Sequence, residues 1–322
     1  MDAFFYRFAN DFVLISIYLV LALSLNLING YAGLFSLGHA GFWAIGAYSG
    51  SAFIVYCHMA MPGVPGTVLF LGGAIVGAAA AAIAGLIVGL PCLRLEGDYL
   101  AIATLGFSLI VINLIDNLDV LGGAVSFPFG SLSWPPGMIY DLSARVAHNV
   151  AHMGLGAAAV IVTAVVIRNI RHSSHGRAIV SMREDDMASQ LCGINTVKYK
   201  LFVFVLGAAF AGVAGVLFAT YTARITPEAF GFMEGVKILL MVVLGGMGSL
   251  SGTFIAVVIL YEVPEILRLS MGGYQLLGYP IADWWAILYA LMLVLLMILR
   301  PQGLLGNREI ALPRFFRRAR AQ

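Results

Sequence analysis

Long apolar runs, separated by short polar or glycine-rich stretches, follow one another along nearly the whole chain. A helix needs about 20 mostly apolar residues to cross a bilayer. Nine runs approach this length, at residues 12–28, 40–57, 67–92, 100–118, 149–168, 200–221, 236–248, 252–268 and 283–299. The seventh and eighth are short, and the bend at 29–39 could be re-entrant. The pattern therefore predicts an all-α polytopic membrane protein with about nine membrane helices, within a range of roughly 8–10.

Composition supports this class. Hydrophobic residues make up 61% of the 322 residues, and charged residues make up only 11%, about half the usual share of a soluble domain. A soluble protein of this size could not bury so much apolar surface. The net charge of +2 gives no reason to expect a nucleic-acid partner. Cys57, Cys92 and Cys192 are too widely spaced to form a metal site, and are expected to be small apolar side chains.

Small residues form a stripe along the third run. Gly73, Gly77, Ala81, Gly85 and Gly89 recur at every fourth position. This spacing places them on one face of a helix, where a neighbouring backbone can approach closely. The stripe predicts a tightly packed body of several helices in contact with lipid on the outside.

Basic residues indicate the orientation. Residues 168–200 contain six Lys or Arg residues, and residues 300–322 contain another six, out of 18 in the chain. Cytoplasmic loops carry such an excess, and the four runs between these two stretches, an even number, agree with placing both on that side. The sequence predicts a membrane domain over residues 1–308, with a polar cytoplasmic loop at about 169–199, and a basic cytoplasmic tail over residues 309–322.

Motifs for covalent chemistry or nucleotide binding are missing from the sequence. It contains no GxxxxGKS phosphate loop, no GxSxG nucleophile turn and no HExxH metal motif, so we expect no enzymatic activity, no cofactor and no metal. Four glycines between the seventh and eighth runs predict a helix break, at Gly245, Gly246, Gly248 and Gly252. Irregular backbone at membrane depth is tolerated only where it is buried or lines a cavity.

The polar loop has a helical pattern of its own between Gly176 and Ile194. Asp185 suits a helix start and Gly193 suits a helix end. A short helix lying across the cytoplasmic face could contact a soluble motor protein. It could equally be a surface helix that only connects two spans.

Five blocks in order resemble one family of transporters. They are LNLINGYAGLFSLGHAGFWAIGAY (Leu25–Tyr48), GDYLAIATLGF (Gly97–Phe107), GRAIVSMREDDMASQLCGI (Gly176–Ile194), MVVLGGMGSLSGT (Met241–Thr253) and RPQGLLG (Arg300–Gly306). Together they resemble the LivM-type permease subunits of branched-chain amino-acid ABC importers. The third block then resembles the coupling loop by which such permeases dock onto their ATPase.

The resemblance implies a transport subunit of a bacterial inner membrane, with several passes and a cytoplasmic C-terminus. It implies a second, LivH-type permease, two ABC ATPase subunits that bind the ATP, and a periplasmic substrate-binding protein. Branched-chain amino acids are the expected solutes. A urea or amide permease of the same type is the alternative, and a stand-alone secondary transporter is the alternative from another class.

Two sets of site residues follow. The resemblance assigns contacts with the ATPase to Arg183, Glu184, Asp185, Ala188 and Gly193. Polar residues inside apolar runs are costly and often functional, and the candidates for the solute pathway are Asn26, Asn29, His39, Asn113, Asp116 and Asn117. Each of these could instead cap a helix or bond a neighbouring helix. The last three share one face of the fourth span.

Overall fold

The computed structural model of the chain describes the backbone of residues 2–61, 63–95, 97–118, 127–128, 142–222, 224–270, 275–276 and 279–280, with a few positions between 291 and 306. The ninth predicted span, 283–299, falls almost wholly outside the described residues, as does the basic tail. Those two predictions are therefore untested by the structure.

Helices dominate the described residues. They are α1 Asp2–Asn26, α2 His39–Ala60, α3 Gly66–Cys92, α4 Asp98–Asp116, α5 Leu142–His172, α6 Ser174–Glu184, α7 Asp186–Leu191, α8 Thr196–Thr222, α9 Phe232–Gly245 and α10 Leu250–Ser270. A π-helical turn, Leu27–Tyr31, continues α1, and a short 3-10 helix, Pro227–Phe230, precedes α9. Two antiparallel ladders contain two residue pairs each, β1 Phe127–Pro128 with β2 Arg224–Ile225, and β3 Gln275–Leu276 with β4 Tyr279–Pro280.

Six of the helices are long and apolar enough to cross a membrane, which confirms an all-α polytopic membrane fold. They are Arg7–Tyr31, His39–Ala60, Gly66–Cys92, Asp98–Asp116, Asn149–His172 and Thr196–Thr222. Each coincides with one of the first six predicted runs. The predicted total of about nine stays a prediction.

Close backbone contact joins α2, α3 and α8. A Cβ atom at Gly212 of α8 would lie 2.5 Å from the carbonyl oxygen of Gly77. On α2, Gly46 faces the backbone of Gly212, and a Cβ at Gly50 would lie 2.8 Å from the carbonyl oxygen of Gly73. The predicted stripe therefore permits these three helices to pack more closely than larger residues would allow.

The direction of the helices follows from their contacts. Arg183, at the end of α6, lies against Gly33, just beyond the end of α1. We call the end of the bundle that carries α6 and α7 the α6–α7 side. Helices α1, α3, α5 and α9 run towards this side, and α2, α4, α8 and α10 run away from it, as the pairing of Gly38 with Thr104 and of Gly46 with Gly212 requires.

Candidate functional site

The end of α1 is irregular and is bound by α6. After Asn26 the helix widens into the π-helical turn Leu27–Tyr31, all of whose residues are buried. The carbonyl groups at a helix end lack partners within the helix. One of them, the carbonyl of Gly30, accepts a hydrogen bond of 2.6 Å from Nη1 of Arg183. The side chain of Arg183 therefore satisfies a backbone group of α1.

Asn26 binds the α9–α10 connection with its whole side-chain amide. Its Nδ2 donates to the carbonyl oxygen of Ser249 at 3.1 Å and to Oγ1 of Thr253 at 2.8 Å. Its Oδ1 accepts from the backbone N–H of Gly248 at 2.8 Å. The side chain is fully buried, so these bonds replace water for both partners. Asn26 thus fixes the irregular backbone that follows α9.

That connection is the predicted glycine break. Gly246 and Gly248 have φ angles of +104° and +91°, in the region that favours glycine. A Cβ at Gly245 would lie 2.6 Å from the Cα of Thr253, so α9 and α10 approach closely beside the break. Residues of the last sequence block pack here too, since Leu304 donates its N–H to the carbonyl of Leu244 at 2.7 Å.

Helix α2 begins inside the bundle, and α9 passes close to its start. The first residue of α2, His39, is 1% exposed, and its Nε2 lies 2.8 Å from Oγ of Ser24, well inside α1. On α9, a Cβ at Gly235 would lie 3.5 Å from the Cβ of Ala40. Both helices are preceded by glycine, Gly38 and Gly231, without a side-chain cap. The uncapped start of α2 therefore lies within the bundle, whereas α9 begins at an exposed position, with Met233 70% exposed, and passes the start of α2 at Gly235.

Two nitrogen atoms near the start of α2 find no hydrogen-bond partner among the described residues. They are Nδ1 of His39 and Nε1 of Trp43, one helical turn apart on α2, and both side chains are buried. The ring of Trp43 packs edge-on against Phe230, directly before the start of α9, with centroids 4.7 Å apart. Buried polar atoms are usually bonded, and Nδ2 of Asn149 and Oδ1 of Asp186 are the other two buried atoms of the described residues in this state.

The six pathway candidates do not form one cluster. Asn29 bonds the backbone N–H and carbonyl of Ser36, and so shapes the turn between α1 and α2. Asn113, Asp116 and Asn117 are exposed at the far end of α4. The amides of Asn113 and Asn117 each bond a backbone carbonyl one turn earlier on α4. Only Asn26, Asn29 and His39 lie together, near the α6–α7 side of the bundle.

The polar loop folds into the helix pair α6 and α7, which we call the α6–α7 segment (residues 173–195). Asp185 caps α7, accepting the N–H of Ala188 at 2.9 Å. Lys200 of α8 pairs with Asp186 at 3.0 Å and ties α7 to the bundle. Two large apolar side chains of α7 point away from the protein, since Met187 is 72% exposed and Leu191 is 89% exposed.

The residues assigned to ATPase contact occupy different environments. Glu184, Ala188 and Gly193 are exposed, and Gly193 ends α7 with a φ of +82°. Asp185 is exposed but serves as the cap of α7. Arg183 points inward to Gly30. Met187 and Leu191 were not among the residues predicted to contact the ATPase, although their i, i+4 spacing on a short polar helix is a signal that could have added them.

Comparison with known proteins decides the family. A family model described as the permease component of the branched-chain amino acid transport system matches residues 8–297. The chain belongs to this family. The permease is 36% identical over 310 residues to the high-affinity branched-chain amino acid permease protein LivM of Salmonella typhimurium, covering 90% of this chain and 68% of the relative.

Other relatives span the permease as well. The LivH permease protein of Salmonella typhimurium is 27% identical over 95% of this chain and 97% of its own length. A probable LivM protein of Methanocaldococcus jannaschii is 26% identical over 92% of each chain. No solved structure matches the permease. Similarity is thus higher to the LivM proteins of bacteria than to LivH, in agreement with the resemblance read from the five blocks.

Proposed function

We propose that this permease is one of two membrane subunits of an ABC importer for branched-chain amino acids, driven by separate ATPase subunits. The observation that carries the proposal is the exposure of Met187 and Leu191 on α7. These side chains belong to a polar segment, rich in charge, that cannot lie in the hydrocarbon core. Large apolar side chains that face water in such a setting mark a protein contact.

The α6–α7 segment is suited to transmit force. Lys200 of α8 holds Asp186 at the start of α7, and Gln190 near the end of α7 donates to Oγ1 of Thr196, the first residue of α8, so α7 is fixed to α8 at both ends. We propose that α7 enters a groove on an ATPase subunit, with Met187 and Leu191 as apolar anchors and Glu184 beside them. In this arrangement the membrane is the bacterial inner membrane and the α6–α7 side faces the cytoplasm. The positive-inside rule predicts the same orientation.

The partners of the importer are proposed from the family. Relatives include both LivM and LivH proteins, which supports a pair of similar but non-identical permeases. Two ATPase subunits would bind ATP on the cytoplasmic side, and a periplasmic binding protein would deliver the solute. About nine spans, with a cytoplasmic C-terminus and the basic tail 309–322 beside the membrane, complete the proposed arrangement.

The interior of the bundle favours a solute with a carboxylate. The amide groups at a helix amino terminus carry a partial positive charge. Transporters use broken helices of this kind to meet anionic groups at membrane depth. Here the uncapped start of α2 at Gly38 lies inside the bundle, close to Nδ1 of His39 and Nε1 of Trp43, which find no hydrogen-bond partner among the described residues. An amino acid presents a carboxylate to these groups, whereas urea presents only a neutral amide.

Uptake by the complete complex in proteoliposomes tests the function. We expect ATP and the binding protein to drive accumulation of leucine, isoleucine or valine. Uptake that persists without ATP but requires an ion gradient would contradict the proposal and support a secondary transporter. Competition with leucinamide, which lacks the carboxylate, should be weak, and competition as strong as that of leucine would contradict the carboxylate assignment.

Docking of the ATPase is tested separately. Leu191→Asp should remove ATPase subunits from the purified complex, because a charge cannot enter an apolar groove without partners. Leu191→Met should retain them. The matched control is Leu95→Asp, which places the same charge on another exposed side chain, 41% accessible, at the same side of the bundle. Retention of the ATPase by Leu191→Asp would contradict the docking assignment.

A further inference from the structure

We propose that Arg183, the carbonyl of Gly30 and the side chain of Asn26 form a relay that couples the α6–α7 segment to the glycine break between α9 and α10. The relay would make Arg183 and Asn26 positioning residues for transport. This proposal rests on the proposed function, since it requires ATPase subunits to move the α6–α7 segment. Each of its three steps is a direct contact in the structure.

The first step joins α6 to the end of α1. Nη1 of Arg183 donates to Gly30 at 2.6 Å, a charge-assisted hydrogen bond. The stem of the same side chain packs on Gly33, where a Cβ would lie only 3.0 Å from Cγ of Arg183. Arg171 adds a contact at the same turn, with its guanidinium 5.4 Å from the ring centre of Tyr31. Movement of α6 therefore acts on the π-helical turn.

The second step passes from Gly30 to Asn26. A Cβ at Gly30 would overlap both Oδ1 of Asn26 and the backbone nitrogen of Gly248. The backbone of Gly30 thus lies directly against the bond between those two atoms. Because interiors are close-packed and deform little, Gly30 cannot shift towards the break without displacing that hydrogen bond.

The third step reaches the break itself. Asn26 holds Gly248, Ser249 and Thr253 by three hydrogen bonds. Gly246 and Gly248 supply the backbone freedom that a hinge between α9 and α10 needs. Since α9 passes the start of α2 at Gly235, where a Cβ would lie 3.5 Å from the Cβ of Ala40, a change of angle at the break would move α9 relative to the start of α2. The relay therefore connects the cytoplasmic surface with the proposed solute site.

Arg183 acquires a different role in this arrangement from the one its sequence block implies. It contacts the carbonyl of Gly30, within the membrane body, whereas the exposed apolar pair on α7 serves the ATPase. Arg183→Met should therefore leave ATPase subunits bound while lowering uptake by roughly tenfold, within the usual range of coupling between sites. Asn26→Asp should have an effect of similar size, because a carboxylate would face the carbonyl of Ser249 without a proton to donate.

Thiol labelling at the break provides a readout independent of uptake. Met247 lies between the two glycines and is 42% exposed, so Met247→Cys, combined with Cys57→Ser, Cys92→Ala and Cys192→Ser, gives a single reactive position. The complete complex in nanodiscs would be labelled with a polar maleimide, with and without trapping of ATP by vanadate. We expect trapping to change the labelling rate by roughly fivefold or more.

Matched variants decide the outcome. The change in labelling should disappear in Arg183→Met and Asn26→Asp, and should persist in Arg177→Met on the exposed face of α6 and Asn169→Asp on the exposed end of α5. A change that persists in Arg183→Met, or that is absent from the parent complex, would overturn the relay. Independent effects of the two relay variants, multiplying in the double variant, would overturn it also.

Failure of the relay and failure of the proposed function give different results. If the parent complex shows no uptake driven by ATP, the proposed function fails. If it shows such uptake and the relay variants match their controls, only the relay fails. Loss of ATPase subunits from Arg183→Met would assign this residue to docking and would also contradict the relay.

Discussion

Two halves of the helical bundle are stabilised by different interactions, one by close backbone packing and the other by hydrogen bonds. Helices α2, α3 and α8 pack through glycine and alanine, with backbones in contact at Gly46, Gly77 and Gly212. The ends of α1, α9 and α10 are instead joined by hydrogen bonds around Asn26. Close packing without polar groups favours one fixed arrangement. Hydrogen bonds to irregular backbone can be exchanged, so the second half is where movement is expected.

A large side chain introduced where α2, α3 and α8 pack through glycine should have the largest effect on stability. Gly212→Leu would drive a side chain into the carbonyl of Gly77 and the Cβ of Ala81, at 2.5 Å and 2.8 Å from its own Cβ. Neither neighbour is the end of a flexible chain. We expect destabilisation by about 3 kcal/mol and little monodisperse protein after extraction. Gly154→Leu on α5, where no atom of the described residues lies within 4 Å of a Cβ, is the control.

Size-exclusion chromatography of the two leucine variants measures this effect. A Gly212→Leu protein as abundant and as monodisperse as Gly154→Leu would show that α3 and α8 can separate without cost. The distinction between a rigid and a movable half would then be lost.

Adding one methyl group in the polar half, where α1, α9 and α10 are joined around Asn26, should reduce transport more than it reduces folding stability. Gly30→Ala places a methyl group against Oδ1 of Asn26 and the N–H of Gly248. The bond between these atoms must lengthen or break, at a cost of about 1–3 kcal/mol for a buried unsatisfied group. We expect a folded complex with strongly reduced uptake. The matched variant is Gly106→Ala on α4, where a Cβ meets no atom within 4 Å in the part of the chain that the structure describes.

The readout for this pair is uptake normalised to folded protein. Full uptake in Gly30→Ala would show that the Asn26–Gly248 bond has no part in transport. Equal loss in Gly106→Ala would show that any added methyl group in the membrane helices is harmful, and would remove the special role of Gly30.

The amino-acid pattern was sufficient to predict the close packing of α2, α3 and α8. It was insufficient to predict the hydrogen bonds that join α1, α9 and α10 around Asn26. Spacing of four along α3 predicted the stripe that α2 and α8 contact, because such periodicity is local. Likewise, Gly246 and Gly248 predicted the break, because glycine has a strong local preference for positive φ. The six spans followed from hydropathy alone. Each of these features depends on residues within a few turns of one helix.

The hydrogen-bond partners of Asn26 and Arg183 could not be predicted from local sequence patterns. Asn26 bonds residues 222 to 227 positions away, and Arg183 bonds a residue 153 positions away. A polar residue in an apolar run indicates that a partner exists, but nothing local says which one. For this reason Asn26 and Asn113 were predicted together as pathway residues, although one is fully buried and the other exposed. The family resemblance likewise implied an ATPase contact for Arg183, and the local sequence gave no sign of its bond to Gly30.

A single hydrogen bond of the polar half should have a moderate effect. Thr253→Val keeps the shape of the side chain and removes the oxygen that accepts from Asn26 at 2.8 Å. Asn26 retains its bonds to Ser249 and Gly248, so we expect a loss of about 1 kcal/mol. Thr222 lies at the exposed end of α8, where its hydroxyl donates to the carbonyl of Phe218 in the same helix. Thr222→Val should therefore lower the free energy of unfolding by less.

Thermal unfolding in detergent measures both threonine variants, each combined with Cys57→Ser and Cys192→Ser so that the reaction of buried Cys92 with a fluorescent maleimide reports unfolding. An equal melting temperature for Thr253→Val and Thr222→Val would indicate that water or another group replaces the lost acceptor. The polar half would then be looser than its hydrogen bonds suggest.

The smallest effect is expected where the polar half meets water. Lys237 and Glu234 form an i, i+3 pair at the start of α9, with Nζ 2.5 Å from Oε1, and 41% of the lysine side chain is exposed. The other oxygen of Glu234 accepts from the hydroxyl of Tyr18 on α1 at 2.9 Å. Exposed pairs contribute less than about 1 kcal/mol, and salt screens them. Lys237→Met should therefore lower the melting temperature slightly at low salt and not at all at high salt, whereas Tyr18→Phe should show no such salt dependence. A salt-independent loss in Lys237→Met would mean that the amino terminus of α9 is held by this pair, and that the movable part of the molecule begins nearer the break than the comparison of the two halves implies.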